Sequence, residues 1–129
     1  MTHDIPTNAA FVLEHLTCAA HSTAIAHGFY ADHNDVMSAL ENGGADMRLI
    51  EAADRDFTLS QISKIASECG EAVCAIQKGK EPEEVVEELA DVVIRILDLC
   101  GHMEMPLGEI MIRKMEYNKT RPYKHGKKC

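Results

Sequence analysis

The sequence has no tryptophan and only 5% aromatic residues, so a core must be assembled from alanine, leucine, isoleucine, valine and methionine. That palette favours helices over sheets. No segment alternates β-branched and polar residues over the length of a strand, and no strand is expected. No run approaches the roughly 18 apolar residues of a membrane span. The stretch MTHDIPTNAA also lacks a charged region followed by an apolar one, so no membrane partner is expected. The five cysteines are odd in number and contain no Cys-x-x-Cys, which argues against a disulfide framework and a zinc ribbon. A reducing, cytoplasmic setting is the expectation. The seven histidines form no His-x-x-x-His pair and read as surface residues or simple hydrogen-bonders.

What is present fits a single domain over 1–129, since 14.3 kDa sustains one hydrophobic core. The net charge of −8 is unevenly distributed. Residues 113–128 hold seven lysines and arginines against one acid, Glu116, a balance of +6 that leaves about −14 on the remainder. An acidic body with a basic tail is unlike a duplex-binding surface, and no nucleic-acid partner is expected.

The apolar spacing predicts a first helix from Thr7 or Asn8 to Gly28, a short one over 34–40 that stops at Asn42-Gly43-Gly44, and another short one over 46–54. Thr58 and Gln61 then read as a capping box opening a helix over 58–77. Pro82, followed by Glu83 and Glu84, suits the first turn of a helix over 82–101. The few residues between these two helices predict an antiparallel helical hairpin. A last helix begins near Pro106 and continues to about Asn118, before an irregular tail at 122–129. The fold class expected is all-α, a helical bundle built on that hairpin.

Glu68 and Glu71, three apart, share one helix face, with Lys64 one turn earlier. Glu88 and Asp91 repeat the spacing on the next helix. One such pair is usually only a solvated face. Two pairs on facing helices bring four carboxylates together, and their repulsion calls for a cation. Oxygen ligands without histidine or cysteine select hard ions, Mg²⁺ with Mn²⁺ as a substitute. A di-iron bundle would need Glu-x-x-His, which the sequence does not contain. Gly70, unfavourable within a helix, is read as permitting close helix approach.

At the basic end, Lys114 and Asn118 share a helix face, and Arg121, Lys124 and Lys127 follow, a set able to clamp phosphates or simply a solvated tail. Phe29 and Tyr30 are expected as two exposed rings, available for base stacking or for helix-end packing. Met103, Met105, Met111 and Met115 are read as gap-fillers in the core, and Cys69 and Cys74 as small packing residues.

Three ordered blocks resemble a known family: Ile65-Ala66-Ser67-Glu68-Cys69-Gly70-Glu71-Ala72, then the segment Val86 to Asp98 containing Glu88-Leu89-Ala90-Asp91, then Lys114 to Lys127. The chain resembles the MazG-like all-α nucleoside triphosphate pyrophosphohydrolases, especially their short single-domain members, with the likeness strongest over 58–128. The family pattern is Glu-Glu-x-x-Glu, then Glu-x-x-Asp, then Lys and Asn on a later helix. Ser67 stands here where the first Glu would be, as a subgroup feature that leaves four carboxylates.

The resemblance implies that Glu68, Glu71, Glu88 and Asp91 are catalytic and hold Mg²⁺. It also implies that Lys114 and Asn118 face the phosphates; with them Arg121 and Lys127 are expected to neutralise the leaving pyrophosphate, Lys64 either to contact phosphate or to pair with Glu68, and water, oriented or deprotonated by Glu68, to attack the α-phosphorus. It further implies a homodimer or higher homo-oligomer. The substrate expected is a nucleoside or deoxynucleoside triphosphate, hydrolysed for nucleotide-pool control or house-cleaning. Two alternatives stand: a non-catalytic helical module that binds a nucleotide or a protein, and an enzyme acting on a damaged or phosphoribosyl nucleotide.

Overall fold

Proline and glycine set most helix limits, because one cannot continue a helix and the other ends it at little cost. The computed structural model of the protein describes residues 3–123. Among them are five helices and no strand: α1 (Ala9–Ala26), α2 (Ala31–Asn42), α3 (Met47–Gln77), α4 (Pro82–His102) and α5 (Leu107–Lys119). None is long and apolar enough to cross a membrane. Asp46 caps α3 by accepting from the Arg48 amide at 2.8 Å. Pro82 opens α4, where Glu84 Oε2 accepts from the Glu81 amide at 3.1 Å.

One expected boundary does not exist. The short helix over 46–54 and the helix expected to begin at Thr58 are one continuous α3. Residues 54–58, Asp-Arg-Asp-Phe-Thr, contain neither glycine nor proline. The Thr58 hydroxyl therefore donates back to the Asp54 carbonyl at 3.1 Å, as a threonine inside a helix does, rather than capping a new start.

α4 packs against both α3 and α1, α5 packs on α1, and α2 packs on α3. The tight approaches are at Gly101 and Gly108. A Cβ at Gly101 would stand 2.7 Å from His21 Cβ, and one at Gly108 would stand 2.8 Å from the Ala10 carbonyl oxygen. The Gly108 amide also donates to Glu14 Oε1 at 3.0 Å, so a carboxylate from α1 satisfies an open donor at the positive end of α5. Gly70, expected to serve this purpose, faces nothing within 4 Å.

The buried side chains are mostly small or aliphatic: Thr17, Ala24, Ala72, Ala75, Leu97 and Leu99, joined by Tyr30. Met103, Met105, Met111 and Met115 are exposed rather than core residues, and so are Cys69 and Cys74. Gly108→Ala is expected to force α5 away from α1 and to lower the unfolding free energy in urea by about 1–3 kcal/mol. Gly70→Ala, with open space and a better helix propensity, should raise it by up to about 1 kcal/mol. Equal effects from the two would contradict this packing.

Candidate functional site

Three of the four acids expected to converge do so. Glu68 and Glu71 on α3 and Glu88 on α4 each offer a carboxylate oxygen, and these oxygens lie within 4.8 Å of one another. The Glu71 carboxyl is pushed above its ordinary range. A hydrogen bond to Glu68 available only to its protonated form and the charge of Glu68 lead, followed by lost hydration and by Glu88. Asp91 stands outside this trio and lines a neighbouring groove.

The groove holds about 570 Å³, within the range of small-molecule sites. Its apolar wall is Leu16, Ala19, Ala20 and Ala24 of α1 with Ile94 and Leu97 of α4, and its polar lining includes Glu68, Asp91, Arg95 and Asp98. Phe29 stands at this groove and is 74% exposed. Tyr30 does not share that position. It is only 3% exposed, and its hydroxyl donates to Asp98 Oδ1 at 2.9 Å, the same oxygen that His21 Nδ1 meets at 2.9 Å. Burial and then the Asp98 hydrogen bond and charge push the Tyr30 phenol far above its ordinary range. The expectation of two exposed rings thus holds for Phe29 and fails for Tyr30, because the turn after α1 directs the tyrosine inward.

The basic residues are not gathered at the acids. Lys64 makes no ion pair among the described residues; Glu68 instead meets Arg95 Nε at 2.6 Å. Lys114, Asn118 and Arg121 are on or just after α5, and none pairs with the four acids. The Arg121 guanidinium sits 6.0 Å from the centre of the Tyr117 ring. Lys127 and the rest of 124–129 lie outside the described residues.

Sequence reasoning missed Arg95, Asp98 and His102. Their signal is a polar stripe along α4, Glu88, Asp91, Arg95, Asp98 and His102, at alternating spacings of three and four. The histidines were also under-read. His33 Nε2 lies 3.3 Å from Asp54 Oδ1, and His102 Nε2 lies 3.9 Å from the same oxygen. Burial leads in pushing His102 below its ordinary value, with the neighbouring His33 adding to it. Burial and the charge of Glu14 push the Cys100 thiol up, which makes it a poor nucleophile.

Comparisons of the chain with family models, with curated proteins and with solved structures each returned no match.

Like charges held this close destabilise the metal-free chain. Glu71→Gln should therefore raise its melting temperature in low salt, and the gain should shrink as salt screens the acids. Differential scanning fluorimetry at two ionic strengths measures this, and a lower melting temperature for the variant would refute the repulsion.

Proposed function

We propose that the protein hydrolyses a nucleoside or deoxynucleoside triphosphate to the monophosphate and pyrophosphate, with Mg²⁺ as cofactor. The observation that carries this reading is the double membership of Glu68, which belongs both to the carboxylate trio and to the nucleotide-sized groove. The all-oxygen donor set and the mutual repulsion of Glu68, Glu71 and Glu88 fit a hard divalent cation, Mg²⁺ or Mn²⁺. When bound, such an ion neutralises phosphate charge and polarises the phosphoryl oxygens.

In this reading α3 and α4 form an antiparallel hairpin, supported by the proximities of Glu71 to Glu88, Glu68 to Arg95 and Asp54 to His102. Phe29 stacks on the base at the apolar end of the groove. Glu68 orients a water towards the α-phosphorus and Asp91 completes the acidic edge. The new bond joins the water oxygen to the α-phosphorus, the α–β bridging bond breaks, and pyrophosphate leaves. Arg95, the cation lining the groove, meets the phosphates. Lys64, Lys114, Asn118, Arg121 and Lys127 keep the phosphate role expected of them from the sequence, none of the described ones lining the groove in a single chain.

A second copy of the chain completes this arrangement. A monomer of 14.3 kDa exposes about 6,800 Å², whereas this chain exposes 9730 Å². The excess exceeds the roughly 800 Å² per partner of a standard interface. Val73, Ile76, Val86, Leu89 and Val93, all exposed on α3 and α4, are the apolar surface to be covered. Light scattering should give twice the 14.3 kDa chain mass or a higher multiple, and Val93→Asp should shift it towards the monomer. A wild-type monomer at micromolar concentration would remove the partner from this reading.

Pyrophosphate release from a panel of canonical and modified triphosphates with Mg²⁺ tests the reaction and separates an enzyme from a binding module, which would not turn over repeatedly. Glu71→Gln and Asp91→Asn should each lower kcat by about a hundredfold or more with the helical circular-dichroism spectrum unchanged. Full turnover in both variants would eliminate the site.

A further inference from the structure

At the far end of α3 and α4 a second polar cluster is built from different elements. His33 comes from α2, Asp54 from α3 and His102 from the last turn of α4, and one ligand atom from each lies within 4.8 Å of the others. Asp54 precedes Glu68 by 14 positions, or about 21 Å along a helix, so this cluster and the carboxylate trio are separate. We propose that His33, Asp54 and His102 bind a zinc-class divalent transition-metal ion, with a fourth position open to water.

The distances fit such an ion. Tetrahedral zinc with bonds near 2.0–2.1 Å sets its ligand atoms about 3.3 Å apart. Asp54 Oδ1 is 3.3 Å from His33 Nε2 and 3.9 Å from His102 Nε2, so small side-chain adjustments close the set. Two imidazole nitrogens and one carboxylate select zinc-class ions over Mg²⁺, which prefers oxygen throughout.

Both rings are fixed before any ion arrives. The His33 ring stacks on Phe57 at 3.8 Å between centroids and 12° between planes, and the His102 ring stacks on Tyr30 at 4.9 Å and 25°. Tyr30 is in turn anchored by its hydroxyl on Asp98. Oriented rings of this kind raise metal affinity by sparing the ion the cost of ordering them. An ion at the meeting point of these side chains accepts a lone pair from each imidazole nitrogen and from the Asp54 carboxylate.

Access is also present. A cleft of about 290 Å³ lined by Asp54, Thr58, His102, Met103 and Glu104 opens on two of the three ligands. A bound ion would tie α2, which packs on α3, to the end of α4.

The test uses the full chain, stripped of metal, then titrated calorimetrically with Zn²⁺ in excess Mg²⁺, which occupies the all-oxygen trio, and afterwards with Co²⁺ as an optical probe. One equivalent should bind per chain at micromolar or lower dissociation constant, Co²⁺ should give tetrahedral d–d absorption without thiolate charge-transfer bands, and Zn²⁺ should raise the melting temperature. Asp54→Asn, close to isosteric, should weaken binding at least about tenfold, and His102→Gln likewise. Each variant is checked by circular dichroism, and Asp54→Asn serves if His102→Gln does not fold. The proposal is overturned if wild-type binds no Zn²⁺ below about 100 µM, if thiolate bands show cysteine ligation, or if one-equivalent binding survives in folded Asp54→Asn. Pyrophosphate release plays no part in these readouts, so failure here leaves the proposed reaction to its own test.

Discussion

The placement of α4 between α3 and α1 is the constraint on which the remaining polar arrangement depends. A helix covered on two sides turns part of its polar face towards its neighbours, where lost hydration favours a partner on the next helix. In the stripe Glu88, Asp91, Arg95, Asp98 and His102, four residues approach a neighbouring helix's polar groups, while Asp91 stays exposed. Glu88 meets the acids of α3, Arg95 meets Glu68, Asp98 takes the Tyr30 hydroxyl and His21, and His102 approaches Asp54. The spacing of three and four keeps all five on one side of the helix, so successive turns address different neighbours.

Small residues make this polar seam possible. Gly101 and Gly108 bring α1 against α4 and α5 closely enough that a single added carbon would collide. Ala24, Ala72 and Ala75 fill the interior between helices without separating them. Such packing places side chains such as His21 and Glu14 in direct contact with the next helix, where a hydrogen bond replaces lost hydration. It also yields a thin core, which agrees with the many aliphatic side chains left on the outer faces of α3 and α4.

Much of the helical architecture was legible because its signals are local. Asn42-Gly43-Gly44, Pro82 and Pro106 sit at or next to observed helix ends, and the acidic pairs on α3 and α4 follow from a spacing of three. What escaped depends on contacts distant in sequence. Arg95 and Glu68 are 27 residues apart and His21 and Asp98 are 77 apart, so neither pair leaves a short-range pattern. Thr58 and Gly70 misled for a related reason. A capping residue inside a helix can return its hydroxyl to the preceding turn, and a helical glycine need not mark a contact. Tyr30 shows the same limit, since the inward direction of one ring and the outward direction of its neighbour Phe29 come from the turn and from Asp98.

The division of the four acids into three plus one has a consequence for the proposed chemistry. Arg95 already offsets part of the negative charge by pairing with Glu68 at 2.6 Å. A cation binding the trio competes with Arg95 for that carboxylate and weakens the pair. A triphosphate in the groove attracts the same guanidinium, because Arg95 lines it. Each event thus removes part of the cost of the other, and linkage requires the effect to be mutual: the metal raises affinity for the triphosphate by the factor by which the triphosphate raises affinity for the metal. In the proposed reading Arg95 is therefore the counter-ion that couples the two sites, and Glu68 is the carboxylate for which it competes with the metal.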